Sequence, residues 1–142
     1  MLAIGDLKID IPIIQGGMAI RASMAKLAAA VANEGGIGVI AGTALSIDEL
    51  KKEIKRAKDM IVNKGGALGV NIMYATTDFM DLVHASIEAG IDVIIFGAGF
   101  SRDIFEVAKG TGVKIIPVVS SLKLAKISQK LGADAIVVEG GN

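Results

Sequence analysis

Five short runs hold the residue types from which a reactive site could be built: Gln15-Gly16-Gly17-Met18, Asn71-Ile72-Met73, Gly97-Ala98-Gly99, Ser120-Ser121 and Glu139-Gly140-Gly141-Asn142. Glycine lets a backbone come close to a flat or anionic ligand and turns its N–H groups outward. The Asn71 carboxamide both donates and accepts. One glycine run alone reads as a turn, but each of these follows an apolar, strand-like stretch. Their recurrence points to a small-molecule site assembled from several strand ends.

Other chemistries lack their residues. The chain has no cysteine, so disulfides, thiolate metal centres and cysteine nucleophiles are excluded. No GxGxxG follows the first strand-like run and no Walker A lysine motif is present. Gly35-Gly36-Ile37-Gly38 precedes its strand instead of following it, and reads as a helix stop with a tight turn. The single histidine, His84, falls mid-helix and reads as a helix-surface or packing residue. One histidine and scattered carboxylates make no closed metal site.

The elements that position these runs follow from periodicity. Ile11 to Gln15, Gly38 to Ala41, Ala67 to Met73, Asp92 to Phe96, Val113 to Val119 and Ala135 to Glu139 are continuous β-branched stretches, the signature of buried parallel strands. Between them lie amphipathic helices. Ser23 is placed to cap the stripe Met24, Leu27, Ala28, Val31, which closes at Gly35; Ser46 and Glu49 form a capping box before Ile47, Leu50, Ile54, Ala57 and Ile61. Thr77 is placed to cap a helix through Phe79, Leu82, Val83 and Ile87 that ends at Gly90. Ser101 and Ser121 open the last two helices, the second ending at Gly132.

The reading is α/β: about six parallel strands and five helices in one unit spanning residues 1–142. Strict alternation leaves a doubly wound sheet or an incomplete barrel, and both place ligands at C-terminal strand ends. The 142 residues fall short of the roughly 250 of a closed (β/α)₈ barrel. The last strand-like run also stops where such a barrel places chemistry, so the sequence reads as unfinished.

Lys plus Arg and Asp plus Glu number 15 each, for zero net charge, which argues against nucleic-acid or polybasic membrane partners. With no signal-peptide pattern and no apolar run beyond strand length, a cytoplasmic location is expected. Lys51, Lys52, Lys55, Arg56 and Lys58 are interleaved with Glu49, Glu53 and Asp59 and read as a solvated helix face. Asp78 and Asp81 read as first-turn residues. Met18 and Met73 suit packing and ligand contact equally.

Ile11-Pro12-Ile13-Ile14-Gln15-Gly16-Gly17-Met18, Ala30-Val31-Ala32-Asn33-Glu34-Gly35-Gly36-Ile37-Gly38 and Leu68-Gly69-Val70-Asn71-Ile72-Met73 resemble the nitronate monooxygenase (2-nitropropane dioxygenase-like) flavoenzymes. Gly97-Ala98-Gly99, Ile116-Pro117-Val118-Val119-Ser120 and Gly132-Ala133-Asp134-Ala135 through Glu139-Gly140 continue the match in order across the chain. The resemblance implies the N-terminal portion of an FMN-binding TIM barrel. Gly16, Gly17 and Met18 would lie against the flavin and Asn71 would hydrogen-bond it, while Gly97, Ser120, Glu139 and Gly141 are assigned from matching strand ends. It implies no catalytic residue within the chain, because the family's histidine and the strands that hold the flavin phosphate are expected after Asn142.

Three functions follow as expectations. The first is oxidation of alkyl nitronates by molecular oxygen in the full-length protein, with weak or no FMN affinity in a truncated chain. The second is an FMN-dependent enoyl-acyl-carrier-protein reductase using NAD(P)H, which resembles this chain at Gln15 to Met18, Gly69 to Asn71 and Gly97 to Gly99. Arg21 departs from that group, where an aromatic is common. The third is a non-catalytic half-barrel whose unpaired edge strands promote a homo-oligomer.

Overall fold

The computed structural model describes residues 1–140. The chain opens with an antiparallel hairpin, β1 (Leu2–Ile4) and β2 (Leu7–Ile9). Strands and helices then alternate: α1 (Ala25–Asn33), β3 (Ile37–Ala41), α2 (Ile47–Met60), β4 (Ala67–Met73), α3 (Phe79–Glu88), β5 (Val93–Gly97), α4 (Asp103–Ala108), β6 (Lys114–Val119), α5 (Leu122–Leu131) and β7 (Val137–Val138). β3 to β7 form one parallel sheet in chain order. A doubly wound sheet reverses its order at a switch point and carries helices on both faces. This sheet never reverses. It is a run of parallel β/α units of an incomplete TIM barrel, as expected.

Two cores confirm which face is which. Outward residues such as Ile40, Val70, Ile72, Ile94 and Phe96 pack with Leu50, Ile54, Leu82, Ile104 and Phe105 of the helices. Inward residues Ile37, Val39, Ala67, Val93, Ile95 and Ile116 pack instead with Ile4 and Ile9 of the hairpin. The hairpin therefore plugs the barrel interior at the N-terminal ends of the strands. Sequence reading missed it, because each strand is only three residues long.

Local chemistry explains most helix boundaries. The Ser46 hydroxyl accepts from the Glu49 amide at 3.1 Å, and the Ser121 hydroxyl accepts from the Leu124 amide at 3.2 Å. At α4 the cap position is Arg102, and the Ser101 hydroxyl just before it accepts from the Ile104 amide at 3.3 Å. α1 buries only alanines against the sheet, which lets it come so close that a Cβ on Gly38 would strike the Ala28 carbonyl.

Two expected caps are corrected. Ser23 does not cap α1; Met24 holds the cap position, with no side-chain hydrogen bond. Thr77 does not cap α3, whose turn is closed by the Phe79 amide on the Thr76 carbonyl at 3.3 Å. Ile11 to Gln15 is not a regular strand either. It meets β3 through one parallel bridge, Ile14 to Ile37, because only one of its sides has a partner strand. The last strand is confined to Val137–Val138, since β6 pairs it only at Val118 and Val119.

The N-terminal ends of the strands are tied down by carboxylates. Asp92 accepts from the Leu68 amide and Asp134 from the Ile115 amide, each at 2.9 Å. Lys114 reaches the hairpin turn and pairs with Asp6 at 2.5 Å. The hydrogen bond and charge of Lys114 hold the Asp6 carboxyl below its usual range, and Asp6 in turn raises Lys114.

Candidate functional site at the C-terminal strand ends

The residues proposed for a site converge at the opposite end. Along β4 the inward positions are Ala67, Gly69, Asn71 and Met73, so small side chains leave room below a carboxamide at the barrel mouth. Asn71 is half-buried, and its side chain makes no hydrogen bond to any described residue. Its backbone carbonyl accepts from Gly42 at 2.8 Å, which fixes the strand end but leaves the amide head available.

The Gln15–Met18 run crosses this mouth. A Cβ on Gly17 would lie 2.7 Å from Cβ of Asn71 and 3.3 Å from Cγ1 of Val39, so the bare Gly17 backbone rests directly on the inward side of β3 and β4. A Cβ on Gly16 would meet nothing within 4 Å, which leaves the backbone there open on one side. Met18 is half exposed.

The remaining strand ends complete the rim. Gly97 ends β5 opposite Met73, and a Cβ there would lie 3.1 Å from Cβ of Val118. The Tyr74 amide donates to the Gly97 carbonyl at 2.8 Å, and the Tyr74 ring packs against Gly99, which sits at φ +129°. Ser120 and Glu139 are exposed; the Glu139 amide donates to the Val119 carbonyl at 2.9 Å, so the two residues adjoin. Gly141 lies outside the described residues. Met18, Ile20, Met73 and Tyr74 expose apolar surface on the same rim.

Residues outside the rim are accounted for otherwise. His84 is exposed on α3, away from every strand end. The α2 charges are largely paired: Lys51 with Glu88 at 3.0 Å, Lys55 with Asp59 at 3.3 Å and Arg56 with Glu53 at 2.8 Å. Arg21 pairs with Glu49 at 3.0 Å. Among the described residues no cluster of three or more His, Asp or Glu could hold a metal, and no helix is long and apolar enough to cross a membrane.

Sequence reasoning gave no role to Gln15 and a different one to Ser23, yet both organise the mouth. The Gln15 carboxamide accepts from the Val39 amide at 2.9 Å and donates to the Val39 carbonyl at 3.1 Å. Buried Ser23 accepts from the Met18 amide at 2.8 Å. The signal available was a glutamine at the end of an apolar run, where a strand would otherwise carry another aliphatic.

Known proteins share this fold. FabK from Thermotoga maritima superposes with a TM-score of 0.86 at 39% identity, over 93% of this chain and 41% of that one. A nitroalkane oxidase from Streptomyces ansochromogenes, 21% identical with a TM-score of 0.82, shares the fold over 93% of this chain and 47% of its own. Among curated relatives, the (3aS,4S,5R,7aS)-5-hydroxy-7a-methyl-1-oxo-octahydro-1H-indene-4-carboxyl-CoA dehydrogenase of Mycobacterium tuberculosis is 34% identical over 94% of this chain and 36% of its own length. A probable nitronate monooxygenase of Staphylococcus aureus is 26% identical over 94% of this chain and 47% of its length. The chain thus spans less than half the length of these relatives. The family profile described as nitronate monooxygenase matches residues 2–142, and the chain belongs to that family.

Proposed function

We propose that residues 1–142 form the N-terminal portion of an FMN-binding barrel domain, and that the complete barrel is an oxidoreductase. The observation that carries this reading is the barrel mouth, where the Gly16 backbone is open and Gly17 lies against the half-buried, unpartnered Asn71 carboxamide. These groups fit a flavin. A glycine backbone admits a flat ring, and a free carboxamide offers donor and acceptor to its polar edge. Gly16, Gly17, Met18 and Asn71 would hold the ring, with Gly97, Ser120, Glu139 and Gly141 around it. When bound, FMN supplies the redox chemistry, taking electrons from one substrate and passing them to another.

Oxidation of an alkyl nitronate by molecular oxygen is the first substrate assignment, supported by the family profile and by the Staphylococcus aureus relatives. The chain's own contribution would be to orient the ring and to present the apolar side chains of Met18, Ile20, Met73 and Tyr74 to a hydrocarbon substituent. A second reading, NAD(P)H-linked redox chemistry on an acyl thioester such as an enoyl thioester, has one observation in its favour. The CoA-thioester dehydrogenases of Mycobacterium tuberculosis and Rhodococcus jostii are 34% and 31% identical to this chain, against 26% for the Staphylococcus aureus relatives. A cytoplasmic location suits either reading.

An oxygen electrode separates them. The flavin-loaded protein given propyl-2-nitronate consumes oxygen if the first assignment holds. Flavin that NADH reduces and a crotonyl thioester reoxidises, with no oxygen uptake on nitronate, replaces it with the second. A complete barrel that carries no flavin and does neither overturns both. The expected self-association is read separately by light scattering, where a strict monomer counts against it.

A further inference from the structure

We propose that Gln15 and Ser23 are positioning residues that fix the Gly16–Met18 backbone across the barrel mouth. The inference rests on the flavin reading only for its consequence in ligand affinity.

The backbone of the first strand-like segment stops following β3 at Gln15, whose amide donates to the Ile37 carbonyl at 3.0 Å. Two residues further along β3, the Val39 amide and carbonyl would go unpaired on that side. The Gln15 side chain takes them both. The Val39 N–H can only donate, so the carboxamide oxygen must face it at 2.9 Å, and the nitrogen then faces the Val39 carbonyl at 3.1 Å. The carboxamide thus stands in for a peptide group and continues the ladder while the backbone turns away over the mouth.

Its nitrogen also contacts the Gly16 carbonyl at 2.5 Å and Ser23 Oγ at 3.0 Å. Ser23 is fully buried, and its hydroxyl accepts from the Met18 amide at 2.8 Å while donating to the Gly16 carbonyl at 3.3 Å. The Ser23 backbone closes the loop, donating to the Met18 carbonyl at 3.0 Å and accepting from Ala41 at 2.9 Å. Every polar contact of both side chains goes to the loop, to β3 or to each other. The outcome is a Gly17 backbone held against Asn71, with no helix cap to explain Ser23 otherwise.

The arrangement needs a neutral head that donates and accepts, which Gln15→Glu tests at nearly unchanged shape. An ionised Glu still accepts from Val39 but turns its second oxygen toward the carbonyls of Val39 and Gly16. That repulsion, with partial burial, raises the pKa of the new carboxyl. Protonation returns the donor, so the defect should heal as pH falls.

The experiment measures, in the chain itself, Met18 and Val39 amide exchange corrected for intrinsic rates, the thermal midpoint, and amide shifts on titration with FMN. At pH 8, Gln15→Glu should exchange Met18 about tenfold faster and bind FMN about tenfold more weakly, both returning to within about twofold of the parent at pH 5. Ser23→Ala should speed Met18 exchange by a similar factor at every pH, and keeps the proposal testable if Gln15→Glu unfolds at pH 8. Unchanged Met18 protection in both variants overturns the proposal. So does a Gln15→Glu defect that persists to pH 5 with a lowered midpoint, the mark of a purely structural role. Met18 exchange that behaves as expected while FMN shifts amides only away from the barrel mouth upholds the positioning role and removes the flavin reading.

Discussion

The two ends of this barrel are built to opposite standards. At the N-terminal ends of the strands, Asp92 and Asp134 each take up a strand amide, Lys114 is paired with Asp6, and the hairpin fills the interior with Ile4 and Ile9. At the C-terminal ends the Asn71 carboxamide has no partner among the described residues, and Met18, Ile20, Met73 and Tyr74 expose apolar surface. The backbone follows the same division. Left-handed positions at the N-terminal end fall on Gly5, Gly35, Gly90, Gly110, Gly112 and Gly132, while at the C-terminal end Gly99 is joined by Arg21, Ala44 and Ala98, which hold φ of 60°, 68° and 56° without being glycine. Satisfied polar groups and relaxed turns mark an end that holds the fold. Unsatisfied groups and strained turns gather at the end where the ligand site is proposed.

The largest contrast lies in packing. Ile9→Ala removes a plug residue that is 1% exposed and should cost about 2–5 kcal/mol of unfolding free energy in urea. Ile20→Ala, at 69% exposure on the rim, should stay within about 0.5 kcal/mol of the parent. Equal losses would erase the distinction between the two ends.

A smaller contrast lies in the turns. Gly132 has φ +97° with open space around its Cα, so Gly132→Ala should destabilise by about 1 kcal/mol through backbone strain alone. Ala98→Gly relieves the reverse strain and should stabilise by up to about 1 kcal/mol. An Ala98→Gly protein that loses stability would show that the strain at the mouth is compensated locally.

The smallest effect is electrostatic. The Asp6 carboxyl is held below its ordinary value of 3.8, so its pairing contributes above that pH and is lost as pH falls through the lowered folded value. Asp6→Asn should therefore lower the thermal midpoint slightly at neutral pH and leave it unchanged in strong acid. A difference between the two proteins that grows as pH falls would reverse the sign.

What was legible in the sequence follows from range. β4 was bounded correctly because the run from Ala67 to Met73 is almost wholly apolar, with Leu68, Val70 and Ile72 buried against the helices. Ser46 and Ser121 were read correctly because capping acts over three residues. The hairpin escaped because two three-residue strands carry no period, and its reason to exist is a distant interior. Ser23 looked like a cap because it precedes a helix. Its partners Gln15 and Met18 lie eight and five residues back, beyond what local spacing reveals. Gly17 and Asn71 were singled out because strand ends are where parallel barrels keep their ligands, and the structure brings the two into contact.

The central claim, that the C-terminal strand ends form a flavin-binding face, is tested most directly by amide NMR of the chain titrated with FMN to millimolar concentration. Shifts should cluster at Gly16, Gly17, Met18, Asn71 and Gly97, and should vanish in Asn71→Ala while persisting in Asp6→Asn. Shifts gathered around Lys114 and Asp134 instead would contradict the account.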